Sequence, residues 1–262
     1  MSNVSSDPST DIGEAPPAAV VPWNPWLGMV FIVVVFFGAQ VISGVFVALV
    51  ASVRGSNLQS SLGDVQTQFL FIVLSEAFTV GAIYLFVRGY KQKLSLIGLR
   101  VPRLRDPVYG LLAVPVYYAL FFALLSVATH LFPSLNVTQK QEIGFDNVTG
   151  QTQLVLTFIS LVVLVPIAEE LMFRGFMYTT LRKAMPLWVA GLITSLLFGA
   201  GHLMEGGSGG PLYVGALQTF TLSVVLIYLR QKTRTLWPGI MLHASNNFIA
   251  FLYLFVIHSA GA

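Results

Sequence analysis

The stretch 152–183, TQLVLTFISLVVLVPIAEELMFRGFMYTTLRK, runs from an apolar segment straight into Glu169-Glu170-x-x-x-Arg174. At 1.5 Å per residue it is more than long enough to cross a hydrocarbon core about 30 Å thick. The helix must therefore tilt, or its last two turns must protrude. Ionisable groups are expensive in lipid and face a bundle interior or a wet cavity. This span carries chemistry as well as structure.

Working outward, six further apolar runs meet the same length criterion: 27–53, 66–87, 108–132, 187–204, 211–230 and 236–257. The chain has 262 residues, 55% apolar and 10% charged. A soluble domain carries about 25% charged residues. The expected fold is an all-α polytopic membrane protein, a bundle of about seven transmembrane helices with its active site in an intramembrane cavity. Residues 1–25, rich in Ser, Pro and Ala and without Lys or Arg, read as a disordered tail rather than a signal peptide. Residues 26–151 supply N-terminal helices and loops, and 152–257 the catalytic core helices of one continuous membrane domain. Segment 94–99 reads as interfacial, and Gly206-Gly207-Ser208-Gly209-Gly210 as a flexible loop.

Charge sets the topology. Arg88, Lys91, Lys93, Arg100, Arg103 and Arg105, then Arg182 and Lys183, then Arg230, Lys232 and Arg234 fill alternate loops. The loops between hold only Arg54 and Lys140. The positive-inside rule places the basic loops and the N-terminus in the cytoplasm, with loops 54–64 and 133–151 outside. An integral protein of a prokaryotic plasma membrane is the expected setting, with the lipid bilayer as a partner. Topology accounts for the basic stretch; anionic lipid is the secondary reading, and no fold signal points to nucleic acid. There is no cysteine, which removes disulfides, thiolate chemistry and Cys-ligated metals.

Three patterns lie on separate spans: Glu169-Glu170-x-x-x-Arg174, Phe198-x-x-x-His202 and His243-x-x-x-Asn247. Adjacent helical positions are about 100° apart, so the two glutamates diverge. Arg174 follows Glu170 by four residues, the favourable orientation for an intrahelical ion pair. That pairing occupies Glu170 and leaves Glu169 available as a general base. Pro186 starts the next helix. Counted from a turn near 184–187, Glu169 lies about as far back as His202 lies forward, so the two share a depth. Phe198 and His202 share a face, with Gly199 and Gly201 allowing close backbone approach. His243 and Asn247 also share a face, and neutral donors at membrane depth suit a developing oxyanion.

Other polar groups have plainer readings. Glu76 is expected to pair with a neighbouring helix, Asn246 to line the cavity beside Asn247, and His130 and His258 to sit at helix ends. There is no His-Glu-x-x-His, and none of the five aspartates lies within a span. These absences remove the familiar zincin motif and an aspartyl dyad. Ser208 lies among glycines that could not hold a nucleophile rigid. A zinc ion held by Glu and His remains an alternative to a metal-free site. A proton-coupled transporter using Glu76, Glu169 and His202 lacks the paired broken spans of inverted repeats.

The ordered set resembles the CPBP family, which includes type II CAAX prenyl endopeptidases and bacteriocin-processing and bacteriocin-immunity proteins, also called the ABI family. Glu169-Glu170-Leu171-Met172-Phe173-Arg174-Gly175 looks like its first motif, Phe198-Gly199-Ala200-Gly201-His202 its second, and His243-Ala244-Ser245-Asn246-Asn247 its third. The resemblance covers roughly 150–250. It implies an intramembrane glutamic endopeptidase acting on a peptide or membrane-protein substrate. Glu169 and His202 would activate water, His243 and Asn247 would stabilise the oxyanion, and Glu170, Arg174 and Phe198 would support the site. A non-proteolytic immunity or scaffold protein is the alternative within the same family.

Overall fold

The computed structural model describes residues 21–56, 61, 63–139, 141–145 and 148–257. Most of the expected tail, together with Lys140 and His258, lies outside them. Among the described residues, seven helices are long and apolar enough to cross a membrane: α1 Pro25–Val53, α2 Val65–Gly89, α3 Arg105–Leu131, α4 Gln151–Leu181, α5 Leu187–Gly209, α6 Tyr213–Thr233 and α7 Trp237–Ile257. Among the described residues there is no strand. The protein is an all-α, integral membrane bundle, with span limits within a few residues of those set by apolar length.

Local chemistry fixes the helix ends. Asn24 caps α1, its side-chain oxygen accepting from the Trp26 and Leu27 N–H groups, with Pro25 in the first turn where no donor is missed. Asp64 caps α2 by accepting from Thr67 N at 3.0 Å. Asp106 enters the first turn of α3, where its carboxylate accepts the Arg103 N–H at 2.7 Å. It therefore serves as a terminal cap, away from membrane depth.

The last residues of the expected tail are packed. Val21 and Trp23 are buried. The Trp23 indole donates to the Thr180 hydroxyl at 3.0 Å and stacks on Phe176 at 5.5 Å. A large amphipathic ring finds both an apolar wall and an acceptor there. The short turn Leu94–Ile97 likewise buries Ile97 against the bundle. Leu236 N–H donates to Gly98 O at 3.1 Å, and Lys183 Nζ donates to Trp23 O at 2.8 Å. The basic loops thus meet at one end of the bundle.

At the other end, the glycine run is held rather than free. His202–Gly209 forms a tight helical extension of α5. Glu142 N–H donates to Glu205 O at 2.7 Å, Gln139 donates to Gly210 O at 2.8 Å, and the Gln141 amide donates to the Glu205 carboxylate. Loop 132–145 supplies partners that composition could not reveal.

Candidate active site

The site grows from breaks in regular helix. Within α4 the backbone widens to five-residue hydrogen-bond spacing over Ile159–Leu164 and again over Glu170–Met177. Such widened turns recur at functional sites. Glu169 ends the regular segment between them, Val165–Glu169.

Glu170 and Arg174 form the expected ion pair, with Nη1 to Oε1 at 2.8 Å and side chains 1% and 0% exposed. The Arg174 guanidinium also lies over the Phe198 ring, 4.1 Å from its centroid. Phe198 therefore supplies a π face to a buried cation whose Nε and Nη2 lack hydrogen-bond partners. No spacing in the sequence signals that contact. Gly239 brings α7 close to the pair: a Cβ there would stand 2.7 Å from Glu170 Oε2.

His243 is the hinge between the two carboxylates. Its Nδ1 lies 3.4 Å from Glu170 Oε1, and its Nε2 lies 3.6 Å from Glu169 Oε2. The glutamates leave α4 in different directions, as helical geometry requires, yet they converge on opposite nitrogens of one imidazole. Expecting His243 simply to face the cavity missed this, because α7 stands directly in front of both side chains. Glu170, ion-paired with Arg174, can only accept, so Nδ1 of His243 carries a proton.

His202 is oriented by backbone. Where α5 tightens, the His202 N–H donates to Gly199 O, three residues back. This frees Phe198 O from its usual helical partner, and His202 Nδ1 donates to it at 2.8 Å. A carbonyl can only accept, so in the neutral ring Nε2 is left as an acceptor. Nε2 lies 3.9 Å from Glu205 Oε1. Of the two glycines expected to permit close approach, Gly199 does so, with a Cβ position 2.8 Å from Ala216 O. Gly201 meets nothing within 4 Å, because α5 turns away there.

Glu169, His202, His243 and Asn247 line one cavity of about 520 Å³, which also takes in Glu76 and Asn246. Glu76 does not pair with a neighbouring helix as expected; its side chain lines the cavity. His130 is exposed in the last turn of α3, as expected. Asn246 lies beside Asn247, and Tyr118 joins them from α3. The Tyr118 hydroxyl donates to Asn246 Oδ1 at 3.1 Å, and Asn246 Nδ2 donates to Asn247 Oδ1 at 3.2 Å. No motif flagged Tyr118, which lies in a span with no other chemical signal. Among the described residues, no group of three or more His, Asp or Glu stands close enough to hold a metal ion.

Compared with known proteins, residues 151–249 match a family model described as type II CAAX prenyl endopeptidase Rce1-like. No curated protein and no solved structure matches the chain.

Proposed function

Taking as premise the match of residues 151–249 to the Rce1-like, type II CAAX prenyl endopeptidase family model, we propose that the chain is an intramembrane glutamic endopeptidase. It hydrolyses a peptide bond of a membrane-associated or C-terminal substrate by direct attack of water. The observation that carries this reading is the shared cavity of Glu169, His202, His243 and Asn247.

Water enters between Glu169 and the acceptor Nε2 of His202. Glu169 takes its proton as the oxygen attacks the carbonyl carbon. The carbonyl oxygen becomes an oxyanion, met by His243 Nε2–H and the Asn247 amide. Because Nδ1–H is directed at Glu170, donation from Nε2 requires an imidazolium rather than the neutral donor expected from the sequence; the ionised Glu170 supplies its counter-charge while Glu169 holds the proton taken from water. Glu169 then returns the proton to the departing amine, and the C–N bond breaks. No covalent enzyme intermediate forms. The basic loops face the cytoplasm in this account, in the plasma membrane of a prokaryote.

The test is cleavage of a peptide library, prenylated and unprenylated, by purified protein in liposomes. Glu169→Gln and a chelator run in parallel. The expected result is cleavage by the parent, indifference to chelator, and a loss on the order of 10³-fold in the variant. Parental rates from Glu169→Gln would overturn the mechanism. Chelator-sensitive activity restored by zinc would replace it with a metal-dependent one. A biological phenotype that survives Glu169→Gln would favour an immunity or scaffold role.

A further inference from the structure

The widened turn before Glu169 leaves one carbonyl without a helical partner, and the reason is a single residue. Val165 donates its N–H to Ser160 O, five residues back. In that register the next carbonyl, Leu161 O, requires the N–H of residue 166. Residue 166 is proline and has none. The alternative regular partner, Val165 N–H, is already committed to Ser160. A backbone acceptor released at membrane depth is satisfied by another protein group or by water in a cavity. Here the donor is Asn247 Nδ2, at 2.9 Å from Leu161 O.

The consequence reaches the cavity. An orphan carbonyl can only accept, which fixes which end of the Asn247 amide faces it. The other end, Oδ1, must then accept, and it does so from Asn246. Asn246 in turn accepts from Tyr118. Three hydrogen bonds run in one direction across α3, α7 and α4, each polarising the next. Asn247 Nδ2 carries two hydrogens; with one spent on Leu161, the other is held in a set direction beside the cavity that Asn247 lines.

We infer that Pro166 is a positioning residue: by orphaning Leu161 O it creates the latch that orients the Asn247 amide, and Tyr118 completes that latch from α3. The inference rests on the proposed reaction only for what the second Asn247 hydrogen does; the latch itself is independent of catalysis. Removing the proline restores an internal donor to Leu161 O and lets the amide turn.

The experiment is a double-mutant cycle of Pro166→Ala and Asn247→Ala, read by thermal unfolding and by peptide cleavage, with Tyr118→Phe as a third variant. Pro166→Ala is expected to leave the melting temperature unchanged or higher, since proline inside a helix is unfavourable. Its kcat should fall roughly tenfold or more with KM within about twofold. In the Asn247→Ala background the same change should lower kcat no further. Asn247→Ala should lower the melting temperature of the parent more than that of Pro166→Ala. Tyr118→Phe should lower kcat less than Pro166→Ala does. Equal effects of Pro166→Ala in both backgrounds, in melting or in kcat, would overturn the latch. If the parent cleaves nothing, the reaction fails, while the melting cycle still decides the latch.

Discussion

Helix α1 and helix α4 are both long enough to cross a membrane, at 29 and 31 residues, but they are built differently. α1 is one regular helix from Pro25 to Val53 that turns Val30, Val34 and Phe37 outward. α4 widens its hydrogen-bond spacing twice and buries a glutamate and an arginine. A regular ladder satisfies every internal backbone group and leaves side chains free to meet lipid. An irregular ladder releases carbonyls, and this protein uses them: Leu161 O receives Asn247, and at the end of α5 Phe198 O receives His202. In the site helices, backbone irregularity becomes a means of aiming side chains.

Substitutions should reproduce that contrast. The largest effect is expected at the buried pair. Arg174→Met or Glu170→Ala leaves a lone buried charge, and folded yield should drop with a loss of about 3–5 kcal/mol in stability. Changing both Glu170 and Arg174 to Met should recover part of that loss, because no unpaired charge remains. A single variant with parental yield and melting would break the contrast. A smaller effect is expected at Phe198→Leu, about 1 kcal/mol from the lost cation–π contact. It should vanish once Arg174 is Met, as thermal unfolding of the four proteins would read. The smallest is expected in α1, where Val34→Ala on the outward face should change stability by no more than about 0.5 kcal/mol. A large loss there would mean that α1 contributes more than its regular ladder suggests.

Much of this was legible in the sequence. Apolar length set seven spans, because a hydrocarbon slab imposes a minimum run. The four-residue offset of Glu170 and Arg174 gave their ion pair, and equal counting from a turn near 184–187 pointed to Glu169 and His202 together, which line one cavity. What escaped depends on contacts between distant segments. Trp23 looked like part of a polar tail until Thr180 and Phe176 supplied its pocket. The run Gly206–Gly210 looked loose because its partners, Gln139 and Glu142, lie in a loop that composition does not connect to it. The widened turns of α4 have no compositional signature of their own. Pro166 belongs to none of the three patterns, and the donor that meets Leu161 O arrives from α7, a segment distant in sequence.

The central claim is that Glu169 and His202 act on one water as a unit. A kinetic cycle of Glu169→Gln and His202→Ala on a single cleaved peptide tests it most directly. Groups that serve one step together are non-additive, so the double variant should be no slower than the slower single one. Losses that multiply, or a single variant cleaving at the parental rate, would contradict the account.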